Sequence, residues 1–216
     1  MRWEAFLSDR AHFNLYISAL VYMPTIKIIR RLARPGEMIL EAGCGSGRTA
    51  MLLSDMGYRV AALDLSRSLL RRIMPATAFF TGLSLLNGDI TALPFSDKSF
   101  AICYSCGVLE HFTPEEIIFL LAEQRRVAHR VLVDVPNHRC RKRSYGDEHF
   151  YTDEQWRSML TRAGLAVEQV IHRGLDRGRY VGNCSVFLAS DPAYPCLLYT
   201  SPSPRDLSTS RMPSSA

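Results

Sequence analysis

The 216-residue sequence contains no apolar run long enough to cross a bilayer. Its first residues, MRWEAFLSDRAHFN, carry acidic side chains and lack the apolar block of a signal peptide. We therefore expect a cytoplasmic protein with no membrane partner. Hydrophobic residues make up 47% of the chain, which is enough for one domain with its own core.

The six cysteines do not form the pattern of a metal site or of a disulfide framework. Cys103 and Cys106 make one C-x-x-C pair, but no second pair accompanies them, as a structural zinc site requires. Most of the six fall inside predicted strands, which suits reduced thiols in a core. The sequence predicts no bound metal.

The stretch EAGCGSGRTA, residues 41–50, lacks two features of common phosphate-binding loops. A P-loop requires a lysine after its last glycine, whereas Arg48 and Thr49 follow Gly47 here. A dinucleotide-binding loop reads G-x-G-x-x-G, whereas this one reads G-x-G-x-G with Arg48 at the third glycine position. The spacing argues against NAD without excluding it.

The same stretch predicts a strand, a tight turn and the start of a helix. Met38 to Leu40 are apolar, and the bulky residues after Ala50 are spaced as on a helix face. The turn's glycines allow a ligand to lie against bare backbone. Glu41, at the strand end, repels a pyrophosphate but suits a ligand with an ammonium or sulfonium charge.

A second acidic residue follows the glycine loop after about twenty positions. Arg59 to Leu63 read as a buried strand that ends at Asp64, where a carboxylate can accept both hydroxyls of a ribose. Leu65 is placed to cover one face of an adenine. Asp89 and Ile90, after the next predicted strand, can supply an acceptor and an amide to the adenine edge. These residues together describe an adenosine with a positively charged substituent.

Four stretches in this order resemble the successive motifs of class I S-adenosylmethionine-dependent methyltransferases, and of the small-molecule, type 11-like members in particular. They are ILEAGCGSGRTA, VAALDLS, LLNGDITALPFSDKSF and YSCGVLEHF. The resemblance implies S-adenosylmethionine as cofactor and methyl transfer to a small molecule as the activity. It also implies that the cofactor-binding residues are Glu41, Gly43, Gly45, Gly47, Asp64, Leu65, Asp89, Ile90 and Ser105.

The remaining pattern predicts a Rossmann-like, doubly wound α/β fold. Its sheet is mostly parallel and seven-stranded, with an antiparallel C-terminal strand pair and helices on both faces. We expect an N-terminal helical cap over residues 1–34 and the methyltransferase domain over 35–195. Thr152 to Gln155 read as a capping box for a helix that runs through Ala163 and stops at Gly164.

Residues 196–216 are rich in serine and proline and lack apolar periodicity, which is typical of a disordered tail. CLLYTSPSPRD and SRMPSSA also resemble translations of the two ends of a sequencing-library adapter. Our hypothesis is that this tail is adapter read-through and not native sequence. Resequencing the source gene across Pro195 tests it, and an intact reading frame that encodes the same tail would refute it.

The acceptor side is less well defined by the sequence. His111, Tyr145 and His149 are candidate catalytic residues that orient the acceptor or take its proton; both histidines read equally well as hydrogen-bonded loop residues. The basic run over 139–143 lacks interleaved aromatics, and an Asn/Asp-Pro-Pro-aromatic loop is absent. We therefore expect a small-molecule acceptor and no nucleic-acid partner.

Two other functions stay open at this point. The first is a cofactor-binding protein without turnover, which serves as a regulatory or complex-forming subunit. The second is an NAD-dependent oxidoreductase, which Glu41 and the glycine spacing disfavour. Methyl transfer itself requires alignment and exclusion of water more than a fixed base, so the acceptor atom cannot be read from the residues.

Overall fold

The computed structural model describes residues 22–140, 146–176 and 179–193. Its strands are β1 (Met38–Ala42), β2 (Arg59–Asp64), β3 (Leu83–Asn87), β4 (Phe100–Cys106), β5 (Ala128–Pro136), β6 (Ala166–Asp176) and β7 (Arg179–Ser190). They form one sheet in the order β3-β2-β1-β4-β5-β7-β6. The first five strands pair in parallel, and β7 runs antiparallel to both of its neighbours. The predicted fold class is confirmed.

The helices are α1 (Met23–Leu32), α2 (Arg48–Asp55), α3 (Arg67–Thr77), α4 (Pro114–Val127) and α5 (Asp153–Arg162), with a short 3₁₀ turn at Leu109–His111. The predicted capping box of α5 is confirmed, because Thr152 and Gln155 bond each other's main-chain N–H groups. Thr113 and Glu116 make the same arrangement on α4. No helix in the described ranges is long and apolar enough to cross a membrane.

Alternation along the strands divides the helices between the two faces of the sheet. Ile39 of β1 packs in the cluster that contains α1, α2 and α3 residues, whereas Leu40 packs in a cluster on the opposite face. On β5, Leu132 joins the first cluster, and Val131 and Val133 join a cluster with α4 and α5. Each buried strand therefore supplies apolar side chains to both faces, as parallel sheets require.

Two details differ from the sequence expectation. The connection from β3 to β4 contains no helix, so the alternation of strands and helices lapses over residues 88–99. The apolar run from Val131 to Val133 predicts a strand that starts at Val131, whereas β5 begins at Ala128, because α4 ends directly at Val127. The N-terminal cap is described only from residue 22, and residues 196–216 lie outside the described residues.

The order of the strands fixes where a site can form. β1 lies between β2 and β4, so the chain leaves β1 to one side for β2 and later returns to its other side for β4. In open α/β sheets, ligands bind outside the carboxyl ends of the strands at this point of reversal. We therefore expect the ligand-binding site at the loops after β1, β2 and β4.

A buried ion pair joins β5 to β6. The Arg173 guanidinium donates three hydrogen bonds of 2.7 to 3.0 Å to the Asp134 carboxylate, whose side chain has no exposed area. The Thr25 hydroxyl of α1 donates another at 2.8 Å, and the Tyr22 ring centroid lies 5.1 Å from the guanidinium carbon. These contacts tie the described part of the N-terminal region to the sheet.

We expect Asp134→Asn to lower the free energy of unfolding by about 3–5 kcal/mol, because it leaves the Arg173 charge buried without its partner. Urea denaturation at neutral pH measures the change. The control is Asp97→Asn, since Asp97 also pairs with an arginine, Arg126, but is 74% exposed and should matter little. Equal, small losses in the two variants would contradict this account of the buried pair.

Candidate cofactor and acceptor site

The glycine loop after β1 is held to the end of β2 by its own main-chain amides. The Gly43 and Cys44 N–H groups donate to the Leu63 carbonyl at 2.8 and 2.9 Å, and the Gly45 N–H donates to the Asp64 carboxylate at 2.8 Å. A P-loop instead points its amides at phosphate oxygens. Because these amides are already hydrogen-bonded within the protein, they are not available to bind an anion. The loop therefore offers a ligand only its backbone surface.

Gly43 is the residue at which the loop has no room for a side chain. Its φ of +79° lies in the left-handed region, and a Cβ there would lie 2.7 Å from a methyl carbon of Val108. Val108 belongs to the segment after β4, so the two loops are in direct contact beside the point of strand reversal. A ligand on the glycine loop is therefore also close to the segment after β4.

Glu41 lies beneath the loop and is almost completely buried, with 4% of its surface exposed. Its carboxylate accepts a hydrogen bond of 3.1 Å from the Ala50 N–H in the first turn of α2. Burial raises the pKa of Glu41 to about 8; the Tyr104 hydroxyl and the Ala50 N–H oppose this increase, and the nearby Asp64 carboxylate contributes to it. A cationic ligand group beside Glu41 would favour the ionised carboxylate.

Asp64 and Leu65 stand at the end of β2 in the arrangement that the sequence predicted. The Asp64 carboxylate is oriented by the Gly45 and Ser66 N–H groups, at 2.8 and 2.9 Å. The Leu65 side chain is 65% exposed, which is unusual for a leucine with no partner surface. Asn87 at the end of β3 donates to the Asp64 and Leu65 carbonyls and so fixes this turn.

Asp89 and Ile90 follow β3 on the same edge of the sheet. Asp89 is exposed and accepts the Thr91 N–H at 2.8 Å, and Ile90 is half-buried. On the other side of the reversal point, the Ser105 hydroxyl of β4 is buried and has no hydrogen-bond partner within the described residues. All the predicted cofactor residues thus lie at the carboxyl ends of β1 to β4, and their contacts with a ligand stay a prediction.

The structure fits an adenosine-type sulfonium cofactor on three observations. The glycine loop leaves space only for backbone at Gly43, Leu65 exposes an apolar face, and Ser105 keeps a buried hydroxyl without a partner. The described residues hold no group of three histidine, cysteine or carboxylate side chains arranged for a metal ion.

The predicted acceptor residues are only partly described. His111 pairs with Asp147 at 2.9 Å, and the His149 main-chain N–H donates to the Glu110 carbonyl at 2.7 Å. The His149 ring stacks on Tyr151, with centroids 5.7 Å apart. These contacts bring both histidines to the joined segments after β4 and β5. Tyr145 lies outside the described residues.

Two buried acids in this region, Glu110 and Glu148, were not singled out from the sequence, and each is 4% exposed. Burial raises the pKa of Glu110 to about 8; its own main-chain N–H and Arg173 oppose this increase, and Asp134 and Glu148 contribute to it. The burial of a third acid, Asp134, could have been predicted, because a charged residue inside an apolar strand is rarely buried without a partner. The burial of Glu110 could not be predicted in this way, because Glu110 follows the strand in a loop.

Comparisons with known proteins agree with this geometry. A family model described as "Methyltransferase domain" matches residues 39–130. A malonyl-[acyl-carrier protein] O-methyltransferase of Erwinia billingiae is 44% identical over 72 residues, which is 33% of this chain and 28% of the relative. The human eEF1A lysine and N-terminal methyltransferase is 28% identical over 136 residues, which is 58% of this chain and 19% of the relative. The chain thus spans less than a third of either relative.

A solved structure extends the likeness to the fold. Magnesium protoporphyrin IX methyltransferase from Synechocystis, crystallised with bound S-adenosylmethionine, superposes with a TM-score of 0.63 at 16% identity. The alignment covers 82% of this chain and 78% of that one. At this identity the match supports the architecture alone.

We expect Gly43→Ala to destabilise the protein more than Gly36→Ala does, and chemical denaturation of both variants measures the difference. Both glycines have φ near +80 to +90°, so alanine costs about 1–2 kcal/mol at either position. Only at Gly43 does the new methyl group meet a neighbour, Val108, which adds about 1–3 kcal/mol. Adding Val108→Ala to Gly43→Ala should remove that excess, whereas equal losses in the two single variants would refute the contact.

The matching family model, the strand order and the adenosine-compatible loop agree with one another. Residues 39–130 therefore match a methyltransferase domain, and the described fold agrees with that match.

Proposed function

We propose that this chain transfers the methyl group of S-adenosylmethionine to a small-molecule acceptor in the cytoplasm. The observation that carries the proposal is the glycine loop, whose amides are used within the protein beside a buried acid at the end of β1. That combination suits a cationic cofactor and opposes a pyrophosphate, so the NAD alternative is disfavoured.

In the proposed reaction the chain's residues mainly bind, orient and exclude water. Glu41 would hold the cofactor's ammonium group, Asp64 its ribose, and Leu65, Asp89 and Ile90 its adenine. The bound cofactor supplies an electrophilic methyl group, so the acceptor needs only alignment with it in a site without bulk water. Gly45, Gly47 and Ser105 would line the side nearest to the sulfonium.

A compact acceptor is supported by the burial of the groups on the acceptor side. Glu110, Asp134 and Glu148 are each less than 5% exposed. By name, the relatives are a malonyl-[acyl-carrier protein] O-methyltransferase and an eEF1A lysine and N-terminal methyltransferase, so their acceptors differ from one another. The chemical class of the acceptor therefore has to be inferred from this chain's own residues.

S-adenosylhomocysteine should stabilise the full chain and NAD should not. At a hundredfold excess over its dissociation constant, the ligand adds about 2.7 kcal/mol. For a domain of this size that is a rise in Tm of roughly 5–10 °C, read by differential scanning fluorimetry. Asp64→Asn keeps the size of the side chain but should lose most of the rise, whereas Asp55→Asn, at the exposed end of α2, should retain it. Stabilisation by NAD alone would reverse the cofactor assignment.

The affinity for S-adenosylhomocysteine should rise with pH, because Glu41 must be ionised to bind the ligand's ammonium group. With the pKa of Glu41 raised to about 8, the carboxyl group is neutral at lower pH, and binding there must first release its proton. We expect the dissociation constant to fall about tenfold per pH unit from pH 6 and to level off above pH 8. Calorimetric titration measures it.

Glu41→Gln is the matched control for this titration. The glutamine oxygen can still accept the Ala50 N–H, but it carries no charge, so its affinity should be weak and independent of pH. A wild-type affinity that is constant between pH 6 and pH 8 would mean that Glu41 does not contact the ammonium group.

A cofactor-binding subunit without turnover is the alternative, and it shares every binding prediction above. Release of S-adenosylhomocysteine from S-adenosylmethionine, measured over a panel of amines, alcohols, carboxylates and thiols, separates the two functions. Turnover with any member supports the enzyme. Tight binding with no turnover across the whole panel supports the subunit.

A further inference from the structure

Tyr104 of β4 is a buried aromatic residue whose hydroxyl group the fold does not use. The residue has no exposed area, and its hydroxyl makes no hydrogen bond of regular geometry within the described residues. Burial raises the pKa of Tyr104 well above its ordinary value, so the hydroxyl keeps its proton and can act as a donor. Buried polar groups in native proteins nearly always have a partner, so we expect an acceptor close to this donor.

The pairing of the strands places Tyr104 beside Glu41. β1 and β4 are parallel neighbours in a register that sets Glu41 opposite Tyr104, so the two side chains extend from the same face of the sheet. On the far side of Glu41 the register partner is Ala62 of β2, and the register partner of Tyr104 on β5 is Leu132. Glu41 and Tyr104 are therefore the two polar members of this row of four residues.

The charged groups that act on Glu41 come from the elements packed around it. Asp64 at the end of β2 raises the pKa of Glu41, and Arg48 of α2 lowers it. Cys44 of the glycine loop and Cys106 of β4 also interact electrostatically with Glu41. Burial raises the pKa of both thiols well above the ordinary value, so they stay neutral.

The Tyr104 hydroxyl acts on Glu41 in a different way, as a hydrogen-bond donor to its carboxyl group. The other groups that act on Tyr104 are the thiols of Cys44 and Cys106, which form only weak hydrogen bonds. Among these groups, the Glu41 carboxylate is the strong acceptor. Since the hydroxyl has no bond of regular geometry in the structure, it is available to this carboxylate when Glu41 ionises.

We propose that Tyr104 is a positioning residue, whose hydroxyl donates to the Glu41 carboxylate and holds it in the orientation that meets the cofactor's ammonium group. The inference rests on the cofactor binding proposed above and adds a residue to it. The Ala50 N–H bonds the Glu41 Oε2 atom at 3.1 Å. A carboxylate has about four lone-pair sites, which leaves room for both the hydroxyl and the ammonium group.

This role makes a specific prediction for Tyr104→Phe. The substitution removes one oxygen atom that forms no regular hydrogen bond in the fold, so we expect the variant to fold. A donor to a carboxylate lowers its pKa, and its removal should therefore raise the pKa of Glu41 above about 8. Below that pH, binding of the ammonium group must then release a proton that is held more tightly. Above the raised pKa, Glu41 is ionised before and after binding, so the loss should have no effect.

Calorimetric titration of S-adenosylhomocysteine into the full-length wild-type chain and Tyr104→Phe, from pH 6 to pH 9, measures this effect. We expect the dissociation constant of the variant to exceed that of the wild type about tenfold at pH 6 to 7, the effect of one hydrogen bond to a charged group. The excess should fall to about twofold at pH 9, since a tenfold effect corresponds to one unit of pKa. The ligand's own amine titrates alike in both experiments, so it cancels in the ratio.

Tyr58→Phe is the matched control. Tyr58 belongs to the same apolar cluster as Tyr104, is 4% exposed and donates its hydroxyl to the Ala33 carbonyl at 3.2 Å. This variant should bind with wild-type affinity at every pH. Tyr104→Phe added to Glu41→Gln should also leave the affinity of that variant unchanged, because no charge remains for the hydroxyl to stabilise.

Equal dissociation constants for the wild type and Tyr104→Phe at pH 6 to 7 would overturn the inference. An excess of the same size at every pH would also overturn it, because lost packing weakens binding without regard to pH. Failure of the wild-type chain to bind S-adenosylhomocysteine at any pH would instead refute the proposed function, and this inference with it.

Discussion

The attachment of the glycine loop to the end of β2 is the constraint on which the rest of the site depends. Two amides of the loop bond the Leu63 carbonyl, and a third bonds the Asp64 carboxylate. This arrangement fixes the loop, orients Asp64 and commits the amides that would otherwise bind phosphate. It is possible only because β1 and β2 are parallel neighbours in register, with Ala42 beside Leu63. The pairing of β1 with β2 thereby determines where the loop amides are used.

Two buried acids lie close to the strand ends that form the candidate site. Glu41 lies under the cofactor loop and Glu110 lies in the segment after β4, and burial raises the pKa of each to about 8. In the proposed account, Glu41 meets a cationic group only when the cofactor binds, so cofactor binding and ionisation of Glu41 are coupled.

Much of the fold was predictable because local signals agreed with one another. Apolar runs indicated the buried strands, and the capping box at Thr152 indicated the start of α5. The cofactor loop was predictable because the spacing of its glycines reflects the local backbone conformation of the turn. Contacts between residues distant in sequence were not predictable: Thr25 meets Asp134 across 109 positions, and Glu110 is buried only because the segments after β4 and β5 join.

A crystal structure of the full chain with S-adenosylhomocysteine is the most direct test of the central claim. The account predicts that both ribose hydroxyls lie within about 3.2 Å of the Asp64 carboxylate, with the adenine against Leu65. It also predicts that the glycine loop keeps its bonds to Leu63 and Asp64 when the ligand is present. A nucleoside bound elsewhere, or a loop that releases those bonds to contact the ligand with its amides, would contradict the account.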